Sequence, residues 1–383
     1  MNDDIATTAF SWVKSAEHLR ALADTWLQCP ALMIDTEFMR TDTFYPIAAL
    51  IQINDGRTTY LLDPLHITEL APLAGVLQAP QVLKVFHACS EDLEVFQTLL
   101  GVLPEPLYDT QIAAAMFGEA FSLGYAGLMK TLLDVDVPKG ETRSNWLRRP
   151  LSDSQCLYAA MDVSYLYHGF KLLYARGEAL GRNHWVIADG ERMLNNQRLM
   201  QLTDRQHLKV KSGWKLSPRE LAVLCQLCEF REQRVRKLNI PRNRWLKDGL
   251  LWEIAKTKPR QQQDLDNIQG LAGSFSRNNA GRILSIVENA LSLSPRQLPS
   301  VLPKPLSSDT TDLVKRFRRV ATSAAEANGI AVEVLLKKKD IEQLVRDRPQ
   351  SLADLPEALL GWRAELFGSE LLQALHETSS AAR

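Results

Sequence analysis

The sequence predicts an α/β N-terminal half, a mixed sheet flanked by helices, followed by two all-α helical bundles. Three observations carry that reading. Strand-like runs and helical periodicities alternate up to about residue 107, whereas strand signals nearly vanish after Leu216 and helical spacing takes over. An ungapped internal repeat then links the two parts of the C-terminal half.

Runs at 32–36, 47–53 (IAALIQI) and 59–63 (TYLLD) read as three strands in succession. A helix at 67–78, a strand at 82–86 (VLKVF), a helix at 90–100 and a short strand near 107 follow, and helices then continue to 177. Such an order implies a mixed sheet with helices packed on it. Ser90 is expected to cap the 90–100 helix, whose Leu93, Phe96 and Leu100 form an apolar stripe. Ser152 and Gln155 have capping-box spacing and open a helix to about Gly177, and a further helix at about 184–204 links the halves.

At an offset of 90, Ile240, Leu246, Lys247, Ile254, Pro259, Asp264 and Leu265 fall on Ile330, Leu336, Lys337, Leu344, Pro349, Asp354 and Leu355. Two copies of one small bundle follow, joined by the Pro- and Ser-rich stretch LSLSPRQLPSVLPKPLSS, expected to be extended. The domains read as 1–205, 206–297 and 298–383.

The 383 residues suffice for two or three domains, and 45% hydrophobic content suits a soluble protein. No run of eighteen apolar residues occurs, and Asp3 and Asp4 lie where a signal peptide would be basic. A cytoplasmic protein with no membrane role is expected. Five cysteines without framework spacing exclude a disulfide scaffold, and Cys225 and Cys228, on an apolar helical stripe, are expected to serve core packing rather than metal or redox chemistry.

The net charge of zero hides a division. Residues 1–205 carry 16 Lys/Arg against 25 Asp/Glu, and residues 206–383 carry 29 against 20. Within 209–260 there are 14 basic and 5 acidic residues, which places the whole basic excess in one segment. An acidic catalytic half joined to a basic half suits a nuclease whose substrate is held by a separate module.

Three segments offer the chemistry. In LMIDTEFMR, Asp35 and Glu37 are two apart on a strand and share a face. Asp92 in HACSEDLEVF sits in the first turn of a helix; Tyr158 and Asp162 in LYAAMDV, four apart, share one helix face. Four carboxylates within ~5 Å would cost roughly 3 kcal/mol per like-charged pair at an effective dielectric of 20, so the cluster must protonate or bind cations. All-oxygen ligands select hard cations, Mg2+ or Mn2+, and two such ions suit phosphodiester hydrolysis.

The order D-x-E, then Asp92, then Y-x-x-x-D resembles the three exonuclease motifs of the DEDD superfamily in its tyrosine branch. In the histidine branch a His would stand where this chain has Leu157. The text DTEFMRTDTFYP, LIQI, HACSEDLEVF, LYDTQIAA and RRPLSDSQCLYAAMDVSYL resembles the bacterial ribonuclease D family over about residues 30–175, and the two bundles resemble HRDC domains. This resemblance implies a ribonuclease-H-like sheet with the metal site at the ends of its central strands, and a 3′→5′ exoribonuclease that trims tRNA precursors. No G-x-x-x-x-G-K-[ST] occurs, which excludes a helicase.

The catalytic set is therefore Asp35, Glu37, Asp92, Tyr158 and Asp162, with the four carboxylates holding two divalent cations and Tyr158 orienting the attacking water; the alternative for Tyr158 is an interface aromatic. Asp109 reads as a helix cap before metal ligation, and His87 as a hydrogen-bonded structural histidine. Phe38, Met39, Phe44 and Tyr45 are candidates to stack on terminal bases. Arg231, Arg234, Lys237, Arg242 and Arg244 are balanced between phosphate contacts and ordinary surface. The expected product is a 5′ mononucleotide, the expected partner RNA with a single-stranded 3′ end, tRNA precursors above all, and the expected state a monomer. A DNA-directed 3′→5′ exonuclease and a non-catalytic RNA-binding protein are the rival readings.

Overall fold

The computed structural model describes residues 9–138 and 140–380, so Asp3 and Asp4 lie outside the described residues. Six strands form one mixed sheet: β1 (Phe10–Trp12), β2 (Ala31–Met39), β3 (Ile47–Asn54), β4 (Thr59–Leu62), β5 (Leu83–Phe86) and β6 (Leu107–Asp109). Their order is β1-β4-β3-β2-β5-β6, antiparallel between β2 and β3 and between β3 and β4, parallel elsewhere. Helices α1 (Ala16–Trp26), α2 (Ala71–Leu77) and α3 (Ser90–Leu100) share one core with Leu32, Ile34, Ile51 and Ile53 of the sheet. The opposite face carries Met33, Leu50 and Val85 and meets α4 (Thr110–Met116), α5 (Tyr125–Leu133) and α6 (Asp153–Leu180). Because both faces are covered, β2 and β3 read as nearly unbroken apolar runs until the polar end of β2.

The mixed sheet, its flanking helices and the mostly helical C-terminal half agree with the predicted fold class. The differences are local. β1, of three residues, is too short to show a pattern, whereas α1 escapes the sequence reading despite its cap Ser15 and the helical spacing of Leu19, Leu22, Ala23 and Trp26. The second helix begins at Ala71 and not at 67, since the ring of Pro72 would clash with the carbonyl four residues earlier. Ser90 is the first residue of α3 and not its cap. The capping box forms as expected: Ser152 Oγ accepts from Gln155 N at 3.2 Å and Gln155 Oε1 accepts from Ser152 N at 3.0 Å. Gly181, at φ +66°, ends α6 in the left-handed region.

After α7 (Asn183–Met200) come α8 (Pro218–Leu238), α9 (Arg242–Trp245), α10 (Asp248–Thr257), α11 (Gln262–Asp266) and α12 (Gly273–Ser292), then α13 (Thr311–Asn328), α14 (Val332–Leu335), α15 (Lys338–Asp347) and α16 (Ser369–Ser380). The 90-residue offset holds in three dimensions, as α9 and α10 match α14 and α15 residue for residue. The left-handed Asn239 and Lys258 likewise match Gly329 and Arg348. Cys228 is buried in the α8 core and Cys225 packs against it.

The chain divides into two compact units. One comprises residues up to Met39, Ile47–Asn195 and those from Leu306 onward; the other comprises Arg40–Pro46 and Asn196–Pro305. The second bundle therefore belongs with the sheet. Leu313, Phe317, Leu344, Trp362 and Phe367 share one core with Tyr108, Phe117, Leu166 and Val186.

Candidate active site

β2 positions the first two carboxylates, and its period of two puts Asp35 and Glu37 on the face covered by α6. α6 brings Asp162 to them, so that one carboxylate oxygen of each of the three lies within 4.8 Å of the others. Together with His87, Tyr125, Tyr158 and Leu166 they line a cleft of about 190 Å³. Leu157, at the position that would hold the histidine of the other branch, is 44% exposed and is not among these lining residues.

Asp92 stands outside that group of three. The sequence expectation placed four carboxylates together, but Thr36 points to the opposite face of β2 from its neighbours and its hydroxyl donates to Asp92 Oδ1. α3, which carries Asp92, packs on that opposite face. Asp92 is nonetheless close enough for the charge of Asp35 to act on it.

Burial raises the Asp35 carboxyl above the usual range. Glu37 is pushed up by burial first and then by the charges of Asp35, Asp162 and Asp92. Asp92 and Asp162 lie well above the ordinary value, again through burial and then Asp35, although a hydrogen bond from Tyr158 partly offsets the shift at Asp162. The Tyr158 phenol is raised by burial and by Asp162, so it is neutral at physiological pH and able to donate. Its ring lies 6.1 Å from that of the buried Trp146.

These shifts give a pH dependence. A carboxyl whose folded pKa is raised contributes stability that is complete below its unfolded value of about 4 and is lost as pH rises through the folded value. In chelator, the melting temperature is therefore expected to fall between about pH 5 and pH 8, the range above the unfolded values. Asp162→Asn, which removes one titrating group, should flatten that fall. A melting temperature that rises over the same range in both proteins would contradict the raised carboxyls.

Asp109 caps α4, accepting from Gln111 N at 2.8 Å and Ile112 N at 3.3 Å. The same carboxylate accepts from Ala88 N at 3.2 Å and Cys89 N at 3.0 Å, tying down the turn before α3. His87 Nδ1 lies 3.1 Å from Thr110 Oγ1, a structural bond as expected, yet the ring also lines the cleft. Tyr125, absent from the sequence reading, donates to Met161 O at 2.9 Å; no spacing signal in GYAGLMK marks it.

Of the candidate RNA contacts, Phe38 and Met39 are half-buried at the end of β2. Asn239 Oδ1 accepts from Phe44 N and Tyr45 N, both at 3.0 Å, and the Phe44 ring lies under the guanidinium of Arg242 at 4.6 Å. Arg242 also pairs with the fully buried Glu232 at 2.7 Å, so ring and cation are already each other's partners. Arg231 is a correction. It is 3% exposed and bonds Leu246 O at 2.9 Å and Asp248 at 2.6 Å, a buried clamp between α8 and α10 that no phosphate can reach. Arg234 is half-buried, whereas Lys237 and Arg244 are exposed, Arg244 pairing with the equally exposed Asp42 at 2.9 Å.

A 3′-5′ exonuclease family model matches residues 10–176, an HRDC domain model residues 220–287, and a model described as the ribonuclease D C-terminal HRDC domain residues 311–371. Ribonuclease D of Pseudomonas paraeruginosa is 41% identical over 97% of this chain and 99% of its own length. That of Escherichia coli is 36% identical over 98% and 99%. The crystal structure of Escherichia coli RNase D, described as an exoribonuclease involved in structured RNA processing, superimposes with a TM-score of 0.87 at 34% identity, covering 96% of this chain and 99% of that one. A Bifidobacterium adolescentis protein at 20% identity and TM-score 0.63 shares the fold.

Proposed function

The chain belongs to the ribonuclease D family of 3′→5′ exoribonucleases, and from that premise we propose that Asp35, Glu37, Asp92 and Asp162 hold two divalent cations, Mg2+ or Mn2+, while Tyr158 orients the attacking water. The observation that carries this is the convergence of Asp35, Glu37 and Asp162 within 4.8 Å. A donor set made only of carboxylate oxygens fits hard cations, and positive charge offsets the burial that raises all four carboxyls and the repulsion that adds to it at Glu37, Asp92 and Asp162. Bound ions would supply Lewis acidity at the two oxygens of the phosphodiester that form and break bonds. Asp92, whose charge acts on Glu37 and which feels that of Asp35, would complete the set.

Tyr158 holds its phenol proton at physiological pH and lines the cleft beside Asp162. Its oxygen accepts a hydrogen bond from a water while its O–H donates one to the Asp162 carboxylate, which fixes the water's direction of approach. Tyr158→Phe removes one hydroxyl and almost no volume. It is expected to lower kcat by ~100-fold or more with KM and melting temperature little changed; turnover at the wild-type rate would return Tyr158 to the packing around Trp146.

The substrate is RNA with a single-stranded 3′ end, with tRNA precursors as the first to try, and the product is a 5′ mononucleotide. Phe38 and Met39, next along β2 from Glu37, are placed to stack on terminal bases. The charge division sharpens with the fold. Arg40–Pro46 with Asn196–Pro305 carries 21 Lys/Arg against 10 Asp/Glu, whereas residues from Leu306 onward carry 11 against 12. The first bundle is thus the phosphate-binding module, through Lys237, Arg244 and the half-buried Arg234, and the second has no basic excess for that role.

Among the described residues no helix is long and apolar enough to cross a membrane, and all five cysteines are free thiols. Free thiols suit the reducing cytoplasm, where we place the protein, and fused tandem bundles suit a monomer. The test of the whole reading is incubation of 5′-end-labelled tRNA precursor with Mg2+, with Mn2+ and with chelator. Stepwise shortening from the 3′ end with either ion and none in chelator is expected. Metal-independent shortening, or internal cleavage, would refute it.

A further inference from the structure

Among the buried side chains of the catalytic face with an unpartnered polar atom, Trp146 and Gln52 included, Gln52 lacks a partner for both its donor and its acceptor. Gln52 of β3 is 0% exposed, and neither its Oε1 nor its Nε2 makes a hydrogen bond among the described residues. β2 and β3 run antiparallel with Gln52 directly opposite Asp35, so the two side chains project to the same face with Cβ atoms about 4.5–5.5 Å apart. Its flanking neighbours Ile51 and Ile53 belong to the core on the other face. Leu61 stands opposite it on β4, and Leu50 and Leu61 pack against Cys156 and Ala159 of α6.

An amide in that position is costly. A buried donor or acceptor left unpaired destabilises the fold by about 1–3 kcal/mol, and a leucine of similar size would escape that penalty. The polar group directly opposite it in register is the Asp35 carboxylate, which can accept from the amide N–H. A carboxylate that binds a cation through one oxygen needs its other oxygen held, and such supporting hydrogen bonds set the ligand's orientation.

We infer that Gln52 is a positioning residue for the metal site, its amide N–H donating to the Asp35 carboxylate oxygen that faces away from the cation once the site is filled. This rests on the metal-site reading above. Gln52 acts through Asp35 and does not touch substrate.

Gln52→Leu and Gln52→Met keep the volume and remove the amide. Mn2+ affinity, measured by the electron paramagnetic resonance signal of free Mn2+ in titrations of the full chain, is expected to fall 10- to 100-fold in both. Melting temperature in chelator is expected to stay level or rise, because the unpaired amide is gone. Wild-type affinity in both variants overturns the inference. So does a lower melting temperature in chelator, since the amide would then serve packing without metal. Asp35→Asn is the reference. If wild-type protein binds Mn2+ no better than Asp35→Asn, the metal-site reading fails and this inference with it; if wild-type binds better while both Gln52 variants equal wild-type, only the role of Gln52 fails.

Discussion

Asp35→Asn and Asp162→Asn are each expected to slow RNA hydrolysis about a thousandfold while leaving the fold intact. The amide keeps the carboxylate's shape but not the charge that holds a cation. Lewis-acid stabilisation of the developing charge contributes several kcal/mol, and roughly 4 kcal/mol corresponds to a factor of about a thousand. The same substitutions carry a second signature. Each removes one member of a cluster whose carboxyls are all raised by burial, and Glu37 and Asp162 also by neighbouring charge, so in chelator at neutral pH the variants should melt no lower than wild type. Rates from end-labelled RNA and melting curves on the same preparations decide the matter. A variant that is both folded and near wild-type in rate would remove its residue from the site.

Much of that site was legible because its spacings are local. Period two puts Asp35 and Glu37 on one face of a strand, and a spacing of four puts Tyr158 and Asp162 on one face of a helix; neither depends on the rest of the chain. Which face of the sheet each helix covers does depend on it. α3 and α6 lie on opposite faces, and Asp92, bonded to Thr36, lies outside the group of three that converges within 4.8 Å, although the charge of Asp35 still acts on it. Gln52 was hidden in the same way, since in IAALIQIN it reads as one polar interruption, and only the β2–β3 register places it opposite Asp35. Counting basic residues failed at Arg231 for a different reason. Composition does not distinguish an arginine on a helix surface from one whose guanidinium closes a loop in the core.

The division of the C-terminal half into two like bundles was also readable, but their unlike fates were not. Residues from Leu306 onward are expected to be required for the exonuclease fold itself. Arg363 is 3% exposed and forms a forked pair with the buried Asp189 of α7, at 2.6 and 2.7 Å, while also donating to Val334 O at 3.0 and 2.8 Å. Beside it Trp362 stacks on Trp185 of α7, ring centroids 4.6 Å apart and nearly parallel, and the Arg363 guanidinium covers the outer face of Trp362 at 4.1 Å. Backbone bonds continue the seam, with Ala331 N donating to Ala115 O at 2.9 Å and Arg182 donating to Asn328 O at 2.9 Å.

Arg363→Ala leaves Asp189 charged, buried and short of its main partner. Breaking a buried pair in this way costs about 3–5 kcal/mol, which lowers the melting temperature of a unit this size by ~10 °C. The double substitution Asp189→Leu with Arg363→Met should recover part of that loss, because neither charge of this pair is then left buried alone, while Val334 O and the half-buried Arg192 still lose a partner. A chain ended at Pro305 loses the whole seam and uncovers the Trp185 ring and the apolar core that the second bundle shares with the sheet, so aggregation or loss of cooperative unfolding is expected. Circular dichroism melts and size-exclusion chromatography of the three proteins test this. Were the shortened chain to unfold cooperatively at the wild-type temperature, the second bundle would be an appendage, and its place in the sheet's core would carry no stability.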